Sequence, residues 1–121
     1  MILLRSGKPG LETLLLQRTH GAAFLGGAYV FPGGSLDAAD AAAHRVVGLS
    51  EAQANERLGL PTGGLAYYVA ALRECFEEAG VLLAVHKDGA PVSAGRAAAL
   101  LPWRERFFEM LEKEDLYIPA G

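Results

Sequence analysis

The stretch Arg73-Glu74-Cys75-Phe76-Glu77-Glu78-Ala79-Gly80-Val81 constrains this chain more than any other. The residues leading into it, from about Leu65, favour a helix. Ala66, Ala70, Ala71 and Leu72 are good helix formers, and Tyr67, Tyr68 and Val69 are weaker ones. On a helix, Glu74, Glu77 and Glu78 stand at i, i+3 and i+4, which puts three carboxylates on one face. Leu72, Cys75, Phe76 and Ala79 form an apolar stripe beside them, and Gly80 falls where a left-handed residue ends a helix. Glu77 and Glu78 lie in the last turn, at the negative end of the helix dipole, where each acid costs roughly 0.3–1 kcal/mol. A bound divalent cation reverses that sign. Convergent carboxylate oxygens, completed by water and phosphate, suit Mg²⁺ or Mn²⁺. The plainer alternative is a solvated acidic helix face.

The chain's 121 residues fit one domain, with 51% hydrophobic and 21% charged residues. A net charge of −3 gives no reason to expect nucleic acid or an anionic membrane as a partner. No apolar run approaches the length of a spanning helix, and Met1-Ile2-Leu3-Leu4 is too short for a signal-peptide core. The single cysteine, Cys75, cannot form an internal disulfide and lies on the apolar stripe, so its expected role is packing. A reducing, cytoplasmic compartment is the expected setting.

The string from Arg73 to Val81 resembles the second half of the Nudix hydrolase signature, G-x5-E-x7-R-E-U-x-E-E-x-G-U with U aliphatic. Cys75 is a soft match at the first U, and Val81 fits the last. Upstream, Tyr29-Val30-Phe31-Pro32-Gly33-Gly34 resembles the strand and Gly-Gly turn that open the same signature. The two halves are separated. From Gly34, five residues (Ser35 to Ala39) lead to Asp40, in the place of the first glutamate, and 32 residues rather than seven then lie between Asp40 and Arg73. Counting back from Arg73 instead puts Leu65 at that position. The box is split (29–40 and 65–81) by an insertion of about 25 residues, roughly 41–64. A coenzyme A diphosphatase subgroup of the superfamily is similar in carrying a long insert here. The first acid of the box remains open: Asp40, Asp37, or neither.

That resemblance implies an α+β fold, the Nudix-like α/β/α sandwich with a mixed sheet between helices. Too few residues follow the box to supply its later strands and helix, so an incomplete C-terminal part is expected. An open sheet edge would invite pairing into a homodimer. The implied chemistry is metal-dependent hydrolysis of a diphosphate in a nucleoside diphosphate linked to a further group. Glu74, Glu77 and Glu78 would hold Mg²⁺ or Mn²⁺, Glu74 or Glu77 would orient or deprotonate water, and Arg73 would position a glutamate. A nucleotide-binding domain without turnover and an inactive fragment are the rival readings.

Residues 14–34 bear on the substrate. Coenzyme A pyrophosphatases carry a motif similar to L-L-T-x-R-[SA]-x3-R-x3-G-x3-F-P-G-G. Leu14, Leu15, Arg18, Gly27, Phe31, Pro32, Gly33 and Gly34 fall at matching spacing, whereas Leu16, Thr19 and Ala23 depart from it. Arg18 is a candidate phosphate ligand, or else a solvated strand-end arginine. Gly33 and Gly34 let the backbone approach phosphate closely. Coenzyme A or acyl-coenzyme A is the first substrate expectation, with ADP-ribose and nucleotide sugars as alternatives.

The remaining pattern predicts strands at Ile2–Arg5 and Leu11–Gln17 around a Ser6–Gly10 turn, and a polar loop over Arg18–Ala28. It predicts a short helix from Glu51 to Leu58, with a capping box at Ser50 and a stop at Gly59. Val81–Val85 reads as a strand before an Asp88-Gly89 turn, and a helical pattern starts at about Ala97, with Pro102 in a first turn or at a break. Asp37 and Asp40 precede the short helix, as turn or cap residues in the commoner case. His20, His44 and His86 have no ligand spacing.

Overall fold

A computed structural model describes residues 1–121. The N-terminal part is a hairpin of β1 (Leu4–Gly7) and β2 (Gly10–Thr13), closed over Lys8-Pro9. The ladder is shifted from the expected ranges because the turn is tighter: Gly7 pairs Gly10, and the ladder ends where Leu4 pairs Thr13. Leu14 and Leu15 leave it, and β3 (Leu16–Gln17) pairs antiparallel with β4 (Tyr29–Val30) across the Arg18–Ala28 loop.

Helix α1 (Ala38–Ala42) follows the Gly-Gly turn, and β5 (Val46–Val47) follows α1. Helix α2 (Glu51–Leu58) starts at a Ser50–Gln53 capping box and ends at Gly59, with the bounds its sequence predicts. The long helix α3 (Gly64–Ala79) terminates at Gly80, whose φ of +67° is left-handed and whose N–H donates to Phe76 O at 2.9 Å.

Beyond α3 the chain departs from expectation at two places. Val81–Val85 forms no strand: Val85 bridges to Pro91 and Tyr117 and Ala84 O accepts from Val92 N at 3.2 Å, but no segment pairs with Val81, Leu82 or Leu83 to complete a ladder. The helical pattern after it is two helices rather than one. Ser93 caps α4 (Ala94–Ala99), a 3₁₀ turn spans Leu101–Trp103 with Pro102 in its first turn, and α5 (Phe107–Lys113) starts afresh after Arg106. Pro102 lacks an N–H to extend α4, and Arg106 has a non-helical ψ of 48°. Strand β6 (Ile118–Pro119) pairs parallel with β5.

The class is α+β, and the strands form three two-stranded pieces. No helix is long and apolar enough to cross a membrane. The core lies where α3 meets α5 and β6. Val69, Leu72 and Phe76 pack with Phe107, Met110, Leu111, Leu116 and Ile118, and the Phe76 and Phe107 rings are 6.0 Å apart. Cys75 is buried, as its place on the stripe predicts, and burial pushes its thiol pKa up. This core anchors one face of α3 and leaves the acid-bearing face to the Gly33-Gly34 turn and α1.

The candidate active site

The sequence separates the two halves of the box, and one side chain rejoins them. Arg73 is 8% exposed and lies on the boundary between the core face and the acidic face of α3. Its Nε donates to Asp40 Oδ1 at 2.8 Å and its Nη2 to Asp40 Oδ2 at 3.0 Å, a bidentate pair. Nη2 also donates to Ser35 O at 3.1 Å, and Nη1 reaches Glu74 Oε1 at 3.0 Å and Glu77 Oε2 at 2.7 Å. The Asp40 hydrogen bond is the largest influence raising the Arg73 pKa, which keeps the guanidinium charged.

The two aspartates before the insert have different tasks. Asp37 is the N-cap of α1: its side chain accepts from Ala39 N at 2.9 Å, and its own N–H donates to Asp40 Oδ2 at 2.7 Å. Asp40, its side chain wholly buried, completes that capping box and holds Arg73. Of the two aspartates, Asp40 is the one that contacts Arg73.

The glutamates are held at separate points. Glu74 and Glu77 turn to Arg73, whereas Glu78 Oε2 accepts from Gly33 N at 3.2 Å. The Gly33-Gly34 turn therefore sits against the acidic face. A Cβ on Gly34 would overlap the Glu74 carboxylate, so glycine is what admits this approach. Burial is the largest influence on Glu77 and raises its pKa, overcoming the opposing pull of Arg73.

Arg18 follows β3 and lines a cavity of about 420 Å³ together with Gln17, Thr19 and Glu78, which puts it across an open space from Glu78. A second cavity, of about 350 Å³, is lined by Arg73, Glu77, Asp37 and Glu105.

Two features of the site were not visible in the sequence. Arg104 donates from Nε to Glu77 O at 2.9 Å and from Nη2 to Glu78 O at 3.3 Å, closing the C-terminal end of α3. At the other end α2 supplies the caps: Glu51 accepts from Gly63 N at 2.5 Å and Leu65 N at 3.1 Å, and Asn55 Oδ1 from Gly64 N at 2.7 Å. Glu51 and Asn55 stand at i and i+4, a spacing that signals a shared helix face and not its partner.

The donors fit a divalent cation in kind and charge. They are hard carboxylate oxygens. Asp40, Glu74 and Glu77 share the single guanidinium of Arg73, so these three carboxylates carry more negative charge than that arginine neutralises. They do not form a closed cage, since no three acidic, histidine or cysteine side chains stand together at metal-binding separation.

No family model matches the chain. Acyl-coenzyme A diphosphatase NUDT19 of Homo sapiens is 35% identical over 130 aligned positions, covering 80% of this chain and 35% of that protein. The Gallus gallus protein of the same name is 32% identical, covering 89% of this chain and 40% of its own length. A solved structure described as a NUDIX hydrolase from Alicyclobacillus acidocaldarius matches 99% of this chain and 55% of its own, with a TM-score of 0.65 and 26% identity. With this fold and this rejoined box, the chain belongs to the Nudix hydrolase superfamily. Within it, the chain is similar to the acyl-coenzyme A diphosphatases, and it spans about a third of the length of the Homo sapiens relative.

Proposed function

We propose that this chain carries the catalytic box of a diphosphatase that cleaves a nucleoside diphosphate linked to a further group, with coenzyme A or acyl-coenzyme A as the substrate class. The observation that carries the reading is Arg73, which gathers Asp40, Glu74 and Glu77 across the insertion. The substrate class is supported by the similarity to acyl-coenzyme A diphosphatases and by Arg18, which lines the cavity that also holds Glu78.

Glu74, Glu77 and Glu78 would hold Mg²⁺ or Mn²⁺. When bound, such an ion polarises phosphoryl oxygens and lowers the pKa of water. The chain's own groups do the rest. Arg73 fixes the rotamers of Glu74 and Glu77. Glu77, with its pKa raised by burial, is a better proton acceptor than an ordinary glutamate. Arg18 takes a phosphate oxygen by a charge-assisted hydrogen bond.

A second reading, nucleotide binding without turnover, is favoured by one observation: the three glutamates are engaged by Arg73 and Gly33 and not converged on a common point. A panel of coenzyme A, ADP-ribose, NADH and a nucleoside triphosphate, with Mg²⁺ or Mn²⁺, separates the two. Cleavage that EDTA abolishes and Glu77→Gln removes is the expected result. Tight nucleotide binding with no cleavage by the folded protein would select the second reading.

A further inference from the structure

The last turn of α3 carries Glu77 and Glu78 and, like any helix end, leaves carbonyl oxygens without partners inside the helix. Arg104 supplies partners from 26 and 27 positions away. Its Nε and Nη2 both donate to Glu77 O, and Nη2 also donates to Glu78 O. The segment bearing Arg104 is seated directly on the helix end, where a Cβ on Gly80 would come within 3.1 Å of Leu101 Cδ2. The planar Nε–Nη2 edge thus clamps the two peptide units from which both acids project. A lysine ammonium has no such edge.

We propose that Arg104 is a positioning residue for the metal-binding acids, acting through the main chain of Glu77 and Glu78 and touching neither metal nor substrate. The inference rests on the functional reading above. Charge and geometry make opposite demands, which exposes the role. A guanidinium near a cation site repels the cation, so a merely electrostatic role requires that its removal tighten Mn²⁺ binding. A positioning role requires that removal weaken it, even when the charge is kept as lysine.

The test compares the 121-residue chain with Arg104→Ala and Arg104→Lys. Mn²⁺ affinity is read by electron paramagnetic resonance of the free ion. Amide hydrogen exchange is read at Gly80 and Val81, which donate to Phe76 O and Cys75 O. Mn²⁺ affinity falls about tenfold in both variants, as when outer-shell groups are lost from metal sites. Exchange at the two amides speeds up about tenfold, while the buried middle of α3 around Val69 keeps its protection. Should Arg104→Ala unfold, which Val69 would report, Arg104→Lys carries the test. Unchanged exchange at Gly80 and Val81 overturns the proposal. Faster exchange with equal or tighter Mn²⁺ binding leaves only a helix cap and also overturns it. If the unsubstituted chain binds no Mn²⁺, the functional reading falls and takes this inference with it, a result recognisable because the loss precedes any substitution.

Discussion

Arg73 and Asp40 form a bidentate ion pair, 2.8 and 3.0 Å across its two hydrogen bonds, in which the aspartate is fully buried and the arginine nearly so. This pair replaces chain continuity. In an uninterrupted box the first acid would be tied to the arginine by one helical connection, whereas here α2 and its flanking turns intervene. The pair therefore has to be strong enough to hold α1 against α3. Removing one partner of a buried pair leaves the other charged and unsolvated, at a cost of about 3–5 kcal/mol. Asp40→Ala is expected at the low end of that range, near 3 kcal/mol, because Glu74 and Glu77 still face Arg73. Urea denaturation of the two proteins measures it, and a loss under about 1 kcal/mol would show that the pair is not what joins the halves.

Gly34 separates stability from chemistry. The atoms a Cβ there meets first are the far end of the Glu74 side chain, so Gly34→Ala displaces a flexible carboxylate at little cost in fold stability. With Glu74 in its proposed role as a metal ligand, its displacement by even an ångström costs on the order of 10²-fold in rate. Gly34→Ala is expected to melt within a few degrees of the unsubstituted chain and to lose cleavage of the preferred substrate by about that factor. Activity within threefold would mean that Glu74 does not act from this position.

These relationships were unequally legible in the sequence. The bounds of α2 and α3 followed from local signals, a capping box and two glycine stops, which act within one or two turns. The spacing from Gly34 left Asp40, Asp37 or neither as the first acid; the structure shows what each does, Asp37 capping α1 and Asp40 turned inward to Arg73. Arg104 and Asn55 were not legible. Each reaches α3 through a turn whose geometry is set by packing, and neither has a spacing that names its partner. The expected strand at Val81–Val85 failed for a related reason. A short apolar run reports that a segment can be extended, but a ladder needs a neighbour along its length, and only the Ala84–Val85 end finds one.

Asn55 gives the insertion a structural task. The N-terminal residue of α3's cap is Gly63, which has no side chain to offer, and the Gly64 N–H is satisfied by Asn55 Oδ1 at 2.7 Å. Asn55→Ala removes that acceptor and is expected to cost about 1 kcal/mol, the usual value of an N-cap side chain. Thermal unfolding checks it. A second substitution, Asn55→Asp, keeps the acceptor but loses the Asn55 amide's hydrogen bond to Glu51 and sets a like charge one turn from it, so it should recover only part of the lost stability.

Glu51 extends the same cap and makes it sensitive to acid. Burial works to raise its pKa, but the N–H groups of Leu65 and Gly63 donate to the ionised carboxylate and together bring it below the ordinary value of 4.5. The folded state therefore binds the proton less readily than the unfolded chain. The stability that Glu51 contributes is fully present above its unfolded pKa and is lost as pH falls through its lower folded pKa. Glu51→Gln removes this titration while keeping a carbonyl oxygen for the two donors. The unsubstituted chain should be the more stable of the two near neutrality, and the difference should shrink on acidification below about 4.5, with the two curves meeting once Glu51 is protonated in both states. Equilibrium unfolding across that pH range, measured in parallel on both proteins, reads the difference directly. A gap that stays constant from neutral to acidic pH would mean that Glu51 does not accept these bonds as a carboxylate, and that α3 is capped by Asn55 alone.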